Sequence, residues 1–131
     1  MDVPLPRPTE LSQPFWDYAR AGEFRLQKCG ACGAFRWTPQ VLCRECHAPD
    51  YTWTPASGRG RLYSHTVVHR APLPAFEVPY ALGVVELEEG PLMLAPIVDC
   101  PFDQLAIGLE VKVALRPLND KITVYPFRPT R

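Results

Sequence analysis

Four of the five cysteines fall in two Cys-x-x-Cys pairs, Cys29-Gly-Ala-Cys32 and Cys43-Arg-Glu-Cys46, ten residues apart. Such a turn aims both sulfurs at one point because the chain doubles back over two residues. Gly33, directly after the first pair, is able to take the positive φ that the knuckle wants. Two knuckles facing each other make a closed tetrahedral thiolate site, the arrangement of structural zinc. The spacer is shorter than the 15 to 20 residues of the commonest pattern, but it is long enough for a hairpin with Phe35, Trp37 and Val41 packed beneath it. Iron in a rubredoxin-type site and a redox dithiol are the alternatives, and a dithiol needs only one pair. His47 adjoins the second knuckle as a fifth candidate ligand, yet four thiolates already complete the site, so it reads as a surface histidine. The start Met1-Asp2-Val3-Pro4 lacks the basic residues and apolar stretch of a secretory signal, so reduced cytosolic thiols are expected rather than a disulfide framework.

Other reactive residues form no such constellation. His65 and His69 have the spacing of the histidines in a zinc protease, but His-Thr-Val-Val-His lacks the glutamate and lies on an expected strand, not a helix. Ser57 and Ser64 have no nucleophile-elbow context. No phosphate-binding Gly-x-x-x-x-Gly-Lys loop is present, and Cys100 reads as a small buried side chain. No catalytic residue is expected.

The elements that hold the thiolates must be short. Sixteen prolines in 131 residues favour brief strands and many turns, since proline is excluded from helix interiors and central strands. One helix is expected from the Ser12 N-cap through Phe15-Trp16-Asp17-Tyr18-Ala19-Arg20-Ala21 to Gly22. Its aromatic residues spread over more than one face. It either wedges between modules or presents Phe15 and Trp16 to a partner. The ribbon, from about Gln27 to Trp53, is too small to bury a core of its own, and metal binding worth about 10 kcal/mol in free finger peptides compensates. Beyond Ser57 the pattern alternates with period two. Strands are expected at Gly60 to Arg70, Tyr80 to Glu88, Leu92 to Val98, Leu109 to Arg116 and Ile122 to Phe127, with a helical turn between Cys100 and Gly108. Five strands interrupted after the third match a Greek-key barrel of the OB type. The expected fold is therefore mainly β: an N-terminal segment with a short helix over 1–26, a zinc ribbon over 27–56 and an OB barrel over 57–131.

Charge is balanced overall, 14 basic against 14 acidic residues, but it is sorted along the chain. Residues 71–110 carry seven acidic groups and no basic one. A polyanion-binding domain advertises a basic excess, so single-stranded nucleic acid is the weaker of two readings. Arg59, Arg61 and Arg70 remain candidates for one phosphorylated ligand. The proline-rich loop that follows carries Leu73 and Phe76, apolar groups that either fold back or meet a protein or an acyl chain. No apolar run is long enough to span a membrane.

Together, the aromatic helix, the two cysteine pairs, Gly60-Arg61-Leu62-Tyr63-Ser64, the loop ending in Pro79-Tyr80, Gly83-Val84-Val85-Glu86-Leu87, Ile107-Gly108-Leu109-Glu110-Val111 and Phe127-Arg128-Pro129 resemble the DUF35 family over nearly the whole chain. The resemblance implies a rubredoxin-like zinc ribbon joined to an OB fold, with zinc on Cys29, Cys32, Cys43 and Cys46. It also implies a non-catalytic subunit of a hetero-oligomer with a thiolase-like (lipid-transfer-protein-like) aldolase or thiolase; a cytoplasmic location is expected separately, from the lack of a signal and of a membrane-spanning run. The substrate class it implies is an acyl-CoA, most specifically a β-hydroxyacyl-CoA of steroid side-chain type. On this reading Phe15, Trp16, Leu73 and Phe76 are candidate partner contacts, and Arg59, Arg61 and Arg70 are candidate contacts to CoA phosphates.

Overall fold

The computed structural model describes residues 4–130; Met1, Asp2 and Val3 of the start read for a signal, and Arg131, lie outside them. Helix α1 (Gln13–Arg20) stands where the sequence places it. Its start differs in detail, because Ser12 Oγ does not cap the helix: it accepts the N–H of Thr9 at 2.9 Å, while the Ser12 N–H bonds Thr9 Oγ1 at 3.1 Å. The end is a Schellman stop, with Gly22 N–H on the Ala19 carbonyl and Glu23 N–H on that of Tyr18.

Strands β1 (Arg25–Cys29), β2 (Phe35–Arg36) and β3 (Tyr51–Pro55) form an antiparallel sheet with β1 in the middle. The barrel strands follow: β4 (Arg59–Val68), β5 (Tyr80–Leu87), β6 (Leu92–Ile97) and, after a single 3₁₀ turn at Phe102–Gln104, β7 (Glu110–Val113). The chain then makes β8 (Arg116–Pro117), β9 (Thr123–Val124) and β10 (Phe127–Pro129). The barrel closes in the order β10-β6-β5-β4-β7, with β10 parallel to β6 and antiparallel to β7, which is the Greek-key closure of an OB fold.

Two expected strands are cut shorter. β7 ends at Val113: the Ala114 N–H still reaches the Pro126 carbonyl at 2.7 Å, in register with the β7–β10 ladder, but Pro126 has no N–H to return, and residues 116–117 pair instead with 123–124 in a separate hairpin. The last expected strand breaks at Pro126, which has no N–H to give to a ladder; only Phe127–Pro129 joins the barrel. Inside lie Leu62, Val85, Met93, Val111 and Phe127. Gly83 lets this wall close: a Cβ there would stand 2.6 Å from Leu62 Cδ1.

Ribbon and barrel share one core. Phe15 is 1% exposed and Trp16 9%, so neither is presented to a partner as the sequence allowed; both fill the seam where α1 meets β1 and β9. Phe15 touches Trp37 of the ribbon at 4.8 Å between ring centroids and Phe24 at 6.2 Å, and Phe24 in turn touches Phe127 of the barrel at 6.4 Å. Val41, expected beneath the ribbon, is instead 65% exposed. Among the described residues, no helix is long and apolar enough to cross a membrane.

Candidate metal centre and the surfaces around it

The four ribbon cysteines converge. Their sulfurs all lie within 4.8 Å of one another, and the cross-knuckle pairs Cys29–Cys46 and Cys32–Cys43 are each 3.6 Å apart. None is in a disulfide. Zn–S bonds of about 2.3 Å in a tetrahedron put sulfurs about 3.8 Å apart, so the four thiolates fit zinc.

The two knuckles repeat one construction. Cys29 N–H bonds the Ala34 carbonyl at 2.8 Å and Gly33 N–H returns to the Cys29 carbonyl at 3.1 Å; in the second knuckle Cys43 N–H bonds Ala48 and His47 N–H returns to Cys43, both at 2.9 Å. Gly33 has φ +79° and His47 φ +64°. His47 therefore occupies the place of the knuckle glycine, and its part is played by the backbone. In each pair the first cysteine is buried and the second exposed. Backbone N–H groups of Cys32 and Ala31 point at the Cys29 sulfur and lower its pKa to about 6. The Cys46 N–H, joined by that of Glu45, lowers that of Cys43 against the opposing effect of burial. Cys32 goes the other way, to about 12: the backbone at Ala34 lowers it, but the neighbouring Cys43 sulfur and desolvation raise it more; sulfurs crowded into sharing protons in this way are a set of metal ligands.

Residues that spacing alone did not single out fix the knuckles against each other. Arg36, on β2, is 3% exposed, and its Nη2 donates to the carbonyls of Ala48 at 3.0 Å and Asp50 at 3.1 Å. Those carbonyls also take the N–H groups of Cys43 and Gly30, so one guanidinium ties both knuckles together. Its Nη1 reaches the Gln40 carbonyl, and the group lies over the Tyr51 ring. Fully buried Gln27 clasps the spacer in both directions, accepting the Gln40 N–H at 2.8 Å and donating to the Gln40 carbonyl at 3.0 Å. The sequence carries no signal for either: Gln27 stands in Arg-Leu-Gln-Lys-Cys and Arg36 in a two-residue strand, where polar residues read as solvent-facing.

Residues 16–52 match the rubredoxin-like zinc ribbon domain of ChsH2, and residues 53–116 match its C-terminal OB-fold domain. Among solved structures, a chain of the "Ltp2-ChsH2(DUF35) aldolase" superposes with a TM-score of 0.87 and 31% identity, covering 96% of this chain and 99% of that one. The chain belongs to the DUF35 family. This DUF35 chain is also 34% identical, over 95% of its length, to a probable enoyl-CoA hydratase alpha subunit of Thermomonospora curvata, and 34% identical, over 88%, to the 3-oxo-4,17-pregnadiene-20-carboxyl-CoA hydratase alpha subunit of Mycobacterium tuberculosis. It spans 40% and 36% of the lengths of those two proteins.

The remaining candidate residues of the DUF35 chain do not gather at one place. Arg59 and Arg61 line a hollow of about 210 Å³ with Glu88 and Glu110, and Arg61 stands 3.6 Å from Glu110. Arg70 lies past the far end of β4 (Val68), which is itself roughly 23 Å along the strand from Arg61 at 3.3 Å per residue, so the three arginines form no common cradle. Phe76 folds back against Tyr80, ring centroids 6.1 Å apart, whereas Leu73 is 45% exposed. Cys100 is half-buried, and burial followed by the nearby Asp103 charge raises its pKa, which holds it as an unreactive thiol. His65 and His69 are exposed, the former on β4.

Proposed function

We propose that this chain is a non-catalytic accessory subunit of a thiolase-like acyl-CoA enzyme, a retro-aldolase that cleaves a β-hydroxyacyl-CoA of the steroid side-chain type. The observation that carries this reading is the full-length likeness to the DUF35 component of the Ltp2-ChsH2(DUF35) aldolase. The hydratase alpha subunits support an acyl-CoA context, and one of them is named for a pregnadiene carboxyl-CoA. Retro-aldol cleavage needs a base for the hydroxyl proton and donors for the enolate that forms at the thioester carbonyl. On this reading both stand on the partner. This chain supplies a wall braced by its metal knuckles, against which the partner's active-site loops are held. Arg59 and Arg61, which stay together, are the contacts offered to CoA phosphates.

Nucleic-acid binding is disfavoured by position as well as by sum. The ligand face of an OB fold lies on its second and third strands, here β5 and β6, and these belong to the stretch with seven acidic residues and no basic one. The test is to purify the chain and the thiolase-like subunit of the same organism separately and together, and to follow cleavage of a β-hydroxyacyl-CoA. Activity is expected only in the mixture. Turnover by this chain alone, or full turnover by the thiolase-like subunit without it, would overturn the assignment.

A further inference from the structure

Ribbon and barrel leave a cavity of about 390 Å³ at their junction, with β2 and the second knuckle on one side and the β5–β6 turn on the other. Among the described residues, two buried side-chain atoms lack a hydrogen-bond partner, Arg36 Nε and Glu89 Oε1. Both belong to residues of this cavity's walls, Arg36 on the ribbon side and Glu89 on the barrel side. The rest of each group is engaged. The Arg36 Nη atoms donate to the carbonyls of Gln40, Ala48 and Asp50, and Glu89 Oε2 accepts the Ser57 N–H at 2.8 Å. A buried polar group without a partner is costly, so an orphaned donor on one wall and an orphaned acceptor on the other call for an occupant that supplies one of each.

The walls narrow the choice. Arg36 and Arg44 are balanced by Glu45 and Glu89, so an ion of either sign meets as much repulsion as attraction. Phe35, Trp37, Pro91 and Leu92 add apolar surface, and the volume falls in the range of small-molecule sites, about 300–1,000 Å³. What fits is an uncharged chain of methylenes and amides, in which each C=O accepts and each N–H donates. The hollow lined by Arg59 and Arg61 adjoins, because Glu88 on its wall directly precedes Glu89. Ser57 links the two as well: its N–H holds Glu89, and its Oγ accepts the Arg59 N–H at 3.1 Å. We infer that the junction cavity seats the pantetheine arm of an acyl-CoA, Arg36 Nε donating to an amide carbonyl and Glu89 Oε1 accepting an amide N–H, with the phosphate end at Arg59 and Arg61. This rests on the acyl-CoA reading above and gives that ligand its place on this chain.

Isothermal titration calorimetry of the full, zinc-loaded chain compares CoA with 3′-phospho-ADP, the nucleotide end of CoA without the arm, and zinc content and melting temperature serve as folding controls. CoA should bind about tenfold or more tightly than 3′-phospho-ADP, the scale of two added hydrogen bonds. Glu89→Gln, with its carbonyl on the Ser57 N–H, puts a donor where the acceptor stood, and Ala34→Trp fills the cavity from the ribbon wall. Each should bring CoA down to the affinity of 3′-phospho-ADP, whereas Arg61→Gln should weaken both ligands alike. Equal affinity of the wild type for the two ligands, binding of neither, or a preference for CoA that survives both cavity variants would overturn the inference. So would Arg61→Gln leaving both affinities unchanged, since one ligand would then not span the two hollows. A structure of the complex with the thiolase-like subunit in which a side-chain amide of that subunit fills the cavity would likewise displace the arm. The accessory reading is decided separately, by turnover in the mixture, and survives each of these failures.

Discussion

Phe15 of α1 meets Tyr125 edge-on, ring centroids 5.5 Å apart and planes at 86°. The contact joins the N-terminal helix to the segment that leads into the last barrel strand, and Trp37 of the ribbon closes the triangle on Tyr125 at 5.6 Å. Ribbon and barrel are thereby cemented by aromatic packing at a single seam. Phe15→Ala should cost about 3–5 kcal/mol, the usual range for a buried Phe, read as a shift of the urea midpoint. Well below its melting temperature the variant should still bind the thiolase-like subunit normally, since Phe15 offers no surface. Weakened binding with unchanged stability would contradict this placement.

The metal should be one zinc per chain by elemental analysis. Cys43→Ser removes a buried ligand from a module too small to hold itself together. It should lose the metal and lower the melting temperature by roughly 10 °C or more, each kcal/mol being worth about 4 °C in a domain of this size. Metal-free protein of undiminished stability would refute a structural site, and a red iron chromophore would replace zinc with iron.

Arg36 works through the planar fork of its guanidinium, which an ammonium does not reproduce. Arg36→Lys should leave the carbonyls of Ala48 and Asp50 short of a donor and loosen both knuckles. Competition with a chromogenic chelator should show zinc affinity down about tenfold or more, the scale found when groups behind metal ligands are lost. Zinc held as tightly as in the wild type would show that the backbone bonds alone fix the knuckles.

His47 is expected to be dispensable for metal and mildly costly for the fold. His47→Gly should keep one zinc per chain and raise stability by up to about 1 kcal/mol, because a non-glycine residue at positive φ carries a penalty of that order. Loss of zinc in this variant would make the imidazole a ligand.

The sequence by itself determined the metal site and the class of fold. Cys-x-x-Cys is a local turn whose two sulfurs converge whatever lies beyond it, and period-two alternation marks a strand from its neighbours alone. The cysteine set, the β4 to β6 strands and the helix with its glycine stop were legible for that reason. What the tertiary structure decided was the fate of groups whose environment lies far away in the chain. Phe15 and Trp16 are equally apolar on a surface and in a seam, and only the approach of Trp37 and Tyr125 buries them. Arg36 and Gln27 look like solvent-facing polar residues until the spacer folds back and presents its carbonyls. Leu94 is the converse, a residue whose strand pattern calls for cover that the chain's own fold does not provide.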